Sequence, residues 1–163
     1  MRIFFSNGHI QHSPKTFISN GKIVQSPEQP KRADILEKAA RIAGHDFIQA
    51  KGFGLEPIKK IHDSEYIYFL KTAWSIWKNT PDSGAEIIPN VHPGRNMNAS
   101  PNSIISLAGH YQADTACPIG EGTYEGIIAS SDVAVSGAYA IMNDIQNGNS
   151  KSFAYSLCRP PGH

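Results

Sequence analysis

The sequence predicts an α/β fold with a parallel sheet flanked by helices, and three observations predict it. Short apolar runs at Ile3-Phe4-Phe5, over residues 46–50 and over residues 152–158 have the length of strands. Between them lie longer segments whose apolar residues recur every three or four positions, the period of a helix with one buried face. Strands that alternate with helices favour parallel pairing, because a parallel neighbour needs a crossover connection. In such sheets ligands gather beyond the carboxyl ends of strands. Two segments qualify: the loop after the first strand and the terminal Arg159-Pro160-Pro161-Gly162-His163.

The elements follow in order. The first strand ends at Ser6-Asn7-Gly8, and the polar stretch through Pro27, with His9, His12, Pro14 and Asn20-Gly21, is expected as a surface loop. Pro30 then opens a helix in which Ile35, Leu36, Ala39, Ile42 and Ala43 share a face and Gly44 caps the end. A second strand is expected over 46–50. Ser64 is the expected N-cap of a stronger helix with Tyr66, Phe69, Leu70, Ala73, Trp74 and Trp77 along one side. An aromatic stripe at this spacing reads as core before it reads as a ligand surface. Residues 79–103 are rich in Pro, Gly, Asn and Ser, so a long loop is expected there, followed by a short helix over 103–113. From Gly122 a long amphipathic helix carries Tyr124, Ile127, Ile128, Val135, Ala138, Ile141 and Ile145 and ends at Asn147-Gly148-Asn149, and the last strand then leads into the tail.

Composition bounds the function. The chain has 163 residues, with 15 Lys plus Arg against 14 Asp plus Glu and a net charge of +1, so neither a nucleic-acid surface nor a polybasic membrane surface is expected. The opening apolar run is too short for a signal peptide, and no stretch approaches the length needed to span a bilayer. Cys117 and Cys158 are far apart and form no CxxC pair, which favours reduced thiols and a cytoplasmic location.

The tail carries the sharpest chemical signal. Two prolines fix the backbone and Gly162 relaxes it, which would present His163 rigidly beyond a strand end, a placement suited to a general base. The plain alternative is an exposed histidine on a Pro-Pro turn. His9 and His12 have a possible ligand spacing but no third ligand in view, so they read as a surface pair. Cys158 with His163 reads as a buried small side chain near a histidine rather than a nucleophile with its base.

The pentapeptide Arg159-Pro160-Pro161-Gly162-His163 resembles the histidine-pair motif of zinc-dependent deacetylases, in which a second His follows. Three further matches occur in order. Pro27-Glu28-Gln29-Pro30-Lys31-Arg32 resembles the segment opening that family's first helix, and His62-Asp63-Ser64-Glu65-Tyr66 a later helix start. Cys117-Pro118-Ile119-Gly120-Glu121-Gly122 resembles the Cys-Pro loop before its long helix. With Pro14-Lys15-Thr16-Phe17, the pattern is most similar to the acetylpolyamine amidohydrolase branch, over about the first half of a family member. The resemblance implies the front part of an arginase/deacetylase-like parallel sheet and hydrolysis of the acetyl amide of acetylated amines. It implies a catalytic role for His163, a place for Arg32 in an internal channel for acetate, and positions near the substrate for Phe17, Cys117 and Pro118. Phe17 stands where some members carry an acid, and it would pack on the methylene chain of the substrate instead.

Residues 1–163 are therefore expected to form one partial deacetylase domain with an insertion at about 79–103, cut within the histidine-pair motif. The resemblance places the zinc ligands, an Asp-x-His and a later Asp, beyond position 163. This chain alone is expected to hold no catalytic zinc and not to turn over. The expected substrate is an acetylated polyamine, with acetyl-lysine as the alternative. A homodimer is expected through the 79–103 loop, where Ile87, Ile88, Val91 and Met97 could supply contacts. The rival reading is a catalytically inactive chain that serves only as an assembly or binding partner. An open apolar edge near residues 153–157 leads to an expectation of aggregation when the chain is expressed alone.

Overall fold

A computed structural model describes residues 1–97 and 101–161. Its contacts group the chain into two compact units, one formed by Met1–His12, Glu28–Ile61 and Gly122–His163, the other by Ser13–Pro27 and His62–Glu121.

The first unit is built on a parallel sheet. Strand β1, Arg2–Phe5, lies between β4, Asp46–Gln49, and β5, Ala154–Ser156, and both pairings are parallel, with Phe4 opposite Ile48 on one side and Ser156 on the other. Ile3 and Phe4 are buried, as the apolar run requires of a strand with neighbours on both sides. Helix α1, Lys31–Ile42, starts after Pro30 and ends before Gly44, whose φ of +74° is the left-handed conformation of a helix-ending glycine. Arg41, in the last turn of α1, stacks over the ring of Phe47 with its guanidinium carbon 4.1 Å from the centroid. The short helix α2 spans Glu56–Lys59.

The long helix of this unit, α5, Thr123–Gln146, packs on β1, on β5 and on a 3-10 helix, Asn7–Gln11. Its buried positions are Thr123, Gly126, Val133, Ser136 and Gly137, so the packed face is largely one of small residues. The apolar stripe expected to be buried is only half covered, and Ala138 and Ile145 are exposed. Close approach explains the difference. A Cβ added to Gly137 would lie 2.3 Å from the Ser156 hydroxyl oxygen, and one added to Gly126 would lie 2.9 Å from the His12 Cβ.

The second unit holds a helix pair and a hairpin. Helix α3, Ser64–Trp77, and helix α4, Ile104–Tyr111, pack together around Phe69, Ala73, Ile87, Ile104, Ala108 and Ile119. Tyr66, Leu70, Trp74 and Trp77 lean on that cluster, so the aromatic stripe is core. The N-cap of α3 is Asp63 rather than Ser64, with its carboxylate accepting the Glu65 N–H at 2.7 Å. Ser103 caps α4 through a reciprocal capping box with Ser106. The region expected to be one surface loop contains a hairpin, β2, Thr16–Ser19, paired antiparallel with β3, Lys22–Gln25. Its turn uses Asn20 and Gly21 at φ of 50° and 73°, the two positive values a tight hairpin turn requires.

Candidate active site

The tail motif is fastened to the first unit by a buried cation. Arg159, 3% exposed, follows β5 and donates through one terminal nitrogen to the carbonyls of His9 at 2.6 Å and His12 at 2.7 Å. Its other terminal nitrogen donates to the Glu28 carbonyl at 2.8 Å, and its Nε lies 2.8 Å from the Glu28 carboxylate. One planar fork thus joins the end of β5, the 3-10 helix after β1 and the segment before α1. Burial and the nearby charge of Arg32 lower the Arg159 pKa to about 10, which still leaves it charged at neutral pH.

His9 and His12, expected at the surface, are both buried because their carbonyls wrap this guanidinium. His12 Nδ1 lies 3.0 Å from the Thr123 hydroxyl oxygen at the start of α5. Burial, and then the Arg159 charge, push the His12 pKa down to about 4, and the same causes lower that of His9. Both rings are therefore neutral at pH 7. Gly122, at φ of +74°, lets the chain enter α5 hard against the Gln11 carbonyl, where an added Cβ would come within 2.5 Å.

Arg32 sits in the first turn of α1 and pairs with Glu28, so a single carboxylate side chain meets both arginines of the motif segments. Its side chain is 56% exposed. His163 lies outside the described residues.

Phe17, Cys117 and Pro118 all belong to the second unit. Phe17 is the second residue of β2 and is half-buried. Cys117 is a free thiol 3.4 Å from an Asp114 carboxylate oxygen; its residue reaches the surface, but partial desolvation by the surrounding protein, followed by that carboxylate, raises its pKa. A raised pKa argues against a thiolate nucleophile. Cys158 is likewise raised by burial. Pro118 is buried. Ile87 is wholly buried and exchanges backbone hydrogen bonds with Ile119 at 2.8 and 3.1 Å, so it is core rather than an outer contact of the long loop, whereas Val91 and Met97 are exposed. Asn98, Ala99 and Ser100 lie outside the described residues.

Residues 26–163 match the histone deacetylase domain. The chain belongs to that family. The acetylpolyamine amidohydrolase of Mycoplana ramosa is 35% identical over 164 residues, covering 100% of this chain and 46% of that protein. Acetylpolyamine amidohydrolase 2 of Pseudomonas aeruginosa is 33% identical over 165 residues, with the same coverage. The crystal structure of acetylpolyamine aminohydrolase from Burkholderia pseudomallei superimposes with a TM-score of 0.89 at 34% identity, covering 100% of this chain and 46% of that one. The fold is accordingly the arginase/deacetylase-like parallel arrangement that the motifs imply. The chain spans about half the length of the curated relatives it matches. Arg159, Glu28, His9, His12 and Thr123 form a buried polar network around the start of the tail motif that sequence reasoning did not identify. The available signals were that Arg159 stands in the same motif as His163 and Glu28 in the same motif as Arg32.

Proposed function

We propose that this chain is part of a hydrolase that removes the acetyl group from acetylated polyamines. The observation that carries the reading is the anchoring of Arg159 at the carboxyl end of a parallel strand, in a chain that aligns along its whole length with proteins named acetylpolyamine amidohydrolase. A buried guanidinium holding three carbonyls fixes the tail motif at its first residue, Arg159.

In this reading His163 takes the proton of the attacking water as general base. Arg32 offers a guanidinium to the departing acetate, which it can hold with two parallel hydrogen bonds. Phe17 packs on the methylene chain of the amine, beside Cys117 and Pro118. Among the described residues no group of three His, Cys, Asp or Glu stands together to hold a metal. The family resemblance places the zinc ligands downstream of position 163, and in this reading the chain's own part is positional and acid–base. Among the described residues no helix is long and apolar enough to cross a membrane. The proposal is completed by a cytoplasmic location and a homodimer that uses the exposed Val91 and Met97 of the long loop.

Acetate release by the protein carrying this chain tests the reading, with acetylputrescine, acetylspermidine and an acetyl-lysine peptide as substrates, before and after treatment with a zinc chelator. Chelator-sensitive release that is faster from the polyamines is expected. Release from the peptide alone would replace the substrate assignment, and release from none would overturn the activity.

A further inference from the structure

In the second unit a buried carboxylate is committed to main-chain amides. Glu86 is 9% exposed. One carboxylate oxygen accepts the Lys15 N–H at 2.8 Å, and the other accepts the Thr16 N–H at 3.0 Å and the Thr16 hydroxyl at 3.3 Å. A buried carboxylate is costly without strong donors, and three donors from one dipeptide supply them.

On the far side of Phe17 the chain is held again. The Ile18 N–H donates to the Thr115 carbonyl at 3.2 Å, and the Thr115 hydroxyl donates to the Ile18 carbonyl at 3.1 Å. Phe17 is thus bracketed, with Glu86 fixing the residues before it and Thr115 the residue after it. The same frame reaches the Cys-Pro loop. Ile87, next to Glu86, pairs with Ile119, and the Gln112 side-chain amide donates to the carbonyls of Ile87 at 3.3 Å and Cys117 at 2.8 Å. Position 17 on the hairpin and positions 117 and 118 on the loop are therefore tied to the single dipeptide Glu86-Ile87.

We infer that Glu86 is a positioning residue for substrate selection, acting through Phe17. Its carboxylate holds the hairpin where the Phe17 ring meets the methylene chain of an acetylated alkylamine. This rests on the activity proposed above.

A double-mutant cycle on KM tests it. Glu86→Gln keeps one acceptor oxygen and replaces the other with a donor. It should raise KM for acetylputrescine about tenfold while kcat stays within about twofold, and leave KM for N-methylacetamide, which lacks the methylene chain, unmoved. In a Phe17→Ala background the same substitution should change KM by less than about twofold, because its effect passes through the ring. An equal rise in both backgrounds would make Glu86 a stability residue only and overturn the inference. Amide hydrogen exchange provides a reading independent of turnover. Lys15 and Thr16 amides should exchange faster in Glu86→Gln while those of α3 keep their protection, and unchanged exchange at both would equally overturn it. If the unmodified protein hydrolysed no acetylated amine, the activity and its selection role would both fall, whereas the exchange result would still decide whether Glu86 anchors the hairpin.

Discussion

Arg159 and the two histidines around it show how one residue sets the chemistry of its neighbours. The guanidinium takes the carbonyls of His9 and His12, and in doing so buries both rings beside a positive charge. Protonating either ring in the folded chain would place a second charge against the first. The consequence for stability has a definite sign. The His12 ring titrates near its ordinary 6.5 when the chain is unfolded and at about 4 in the fold, so as pH falls the unfolded chain binds the proton first. The stabilisation is therefore complete above pH 6.5 and lost as pH drops from there toward 4. We expect the unfolding free energy to fall by about 2 kcal/mol between pH 7 and pH 4.5 from this residue, and His12→Asn to flatten that slope. Urea titrations at a series of pH values measure it, and a parallel slope in the variant would refute the assignment. Little of this was legible in the sequence. His9 and His12 stand in a polar stretch without a periodic pattern, and their burial comes from a residue 150 and 147 positions away. The tail motif was legible because its residues are contiguous; the anchor was not, because it joins three separate segments.

Among the elements, α5 separates what a periodic pattern reveals from what it hides. The period identified a helix, and the helix is there. The apolar stripe did not identify the deepest face, because contact distance as well as hydrophobicity decides it. Gly126, Ser136 and Gly137 let the backbone of α5 approach its neighbours more closely than Ile127 or Val135 would permit. Gly137→Ala sets two effects against each other. Alanine gains up to about 1 kcal/mol of helix propensity. The added methyl, however, meets the Ser156 hydroxyl at 2.3 Å, and that hydroxyl donates to the Val133 carbonyl at 3.3 Å, so moving it away gives up a hydrogen bond. Overpacking of about 1–3 kcal/mol prevails, and a net loss of about 1–2 kcal/mol is expected in thermal melts. Ser156→Ala in the same chain should recover most of it, since the Ser156 Cβ lies 3.7 Å from the new methyl, an ordinary contact. A failure of that rescue would place the strain elsewhere. The hairpin was hidden for a related reason. Asn20-Gly21 announced a turn, but most of Lys22–Gln25 is exposed and lacks the strict alternation that marks a half-buried strand.

At the scale of the whole molecule, the covered and uncovered apolar surfaces differ in a systematic way. Helix α1 has the periodic face that the sequence displays, yet Ile35 is 58% and Ile42 78% exposed. Phe153, just before β5, is 66% exposed, and Tyr155 within β5 is exposed as well. Strands β4 and β5 each pair with β1 alone among the described strands, so each presents an unpaired edge. Periodicity reports which side chains share a face; it does not report what covers that face. Exposed apolar side chains beside open strand edges are a template for pairing with another chain, and a net charge of +1 supplies little repulsion to oppose it. The 163-residue chain by itself is therefore expected to self-associate at micromolar concentration, with dynamic light scattering showing species larger than a monomer. Phe153→Lys should shift the distribution toward smaller species, because a charged, flexible side chain beside β5 disfavours edge-to-edge pairing. A monodisperse monomer in the unsubstituted chain would mean that twist or local motion already shields the edges. An unchanged distribution in Phe153→Lys would instead move the association to the exposed face of α1, where Ile35→Lys is the next substitution to measure.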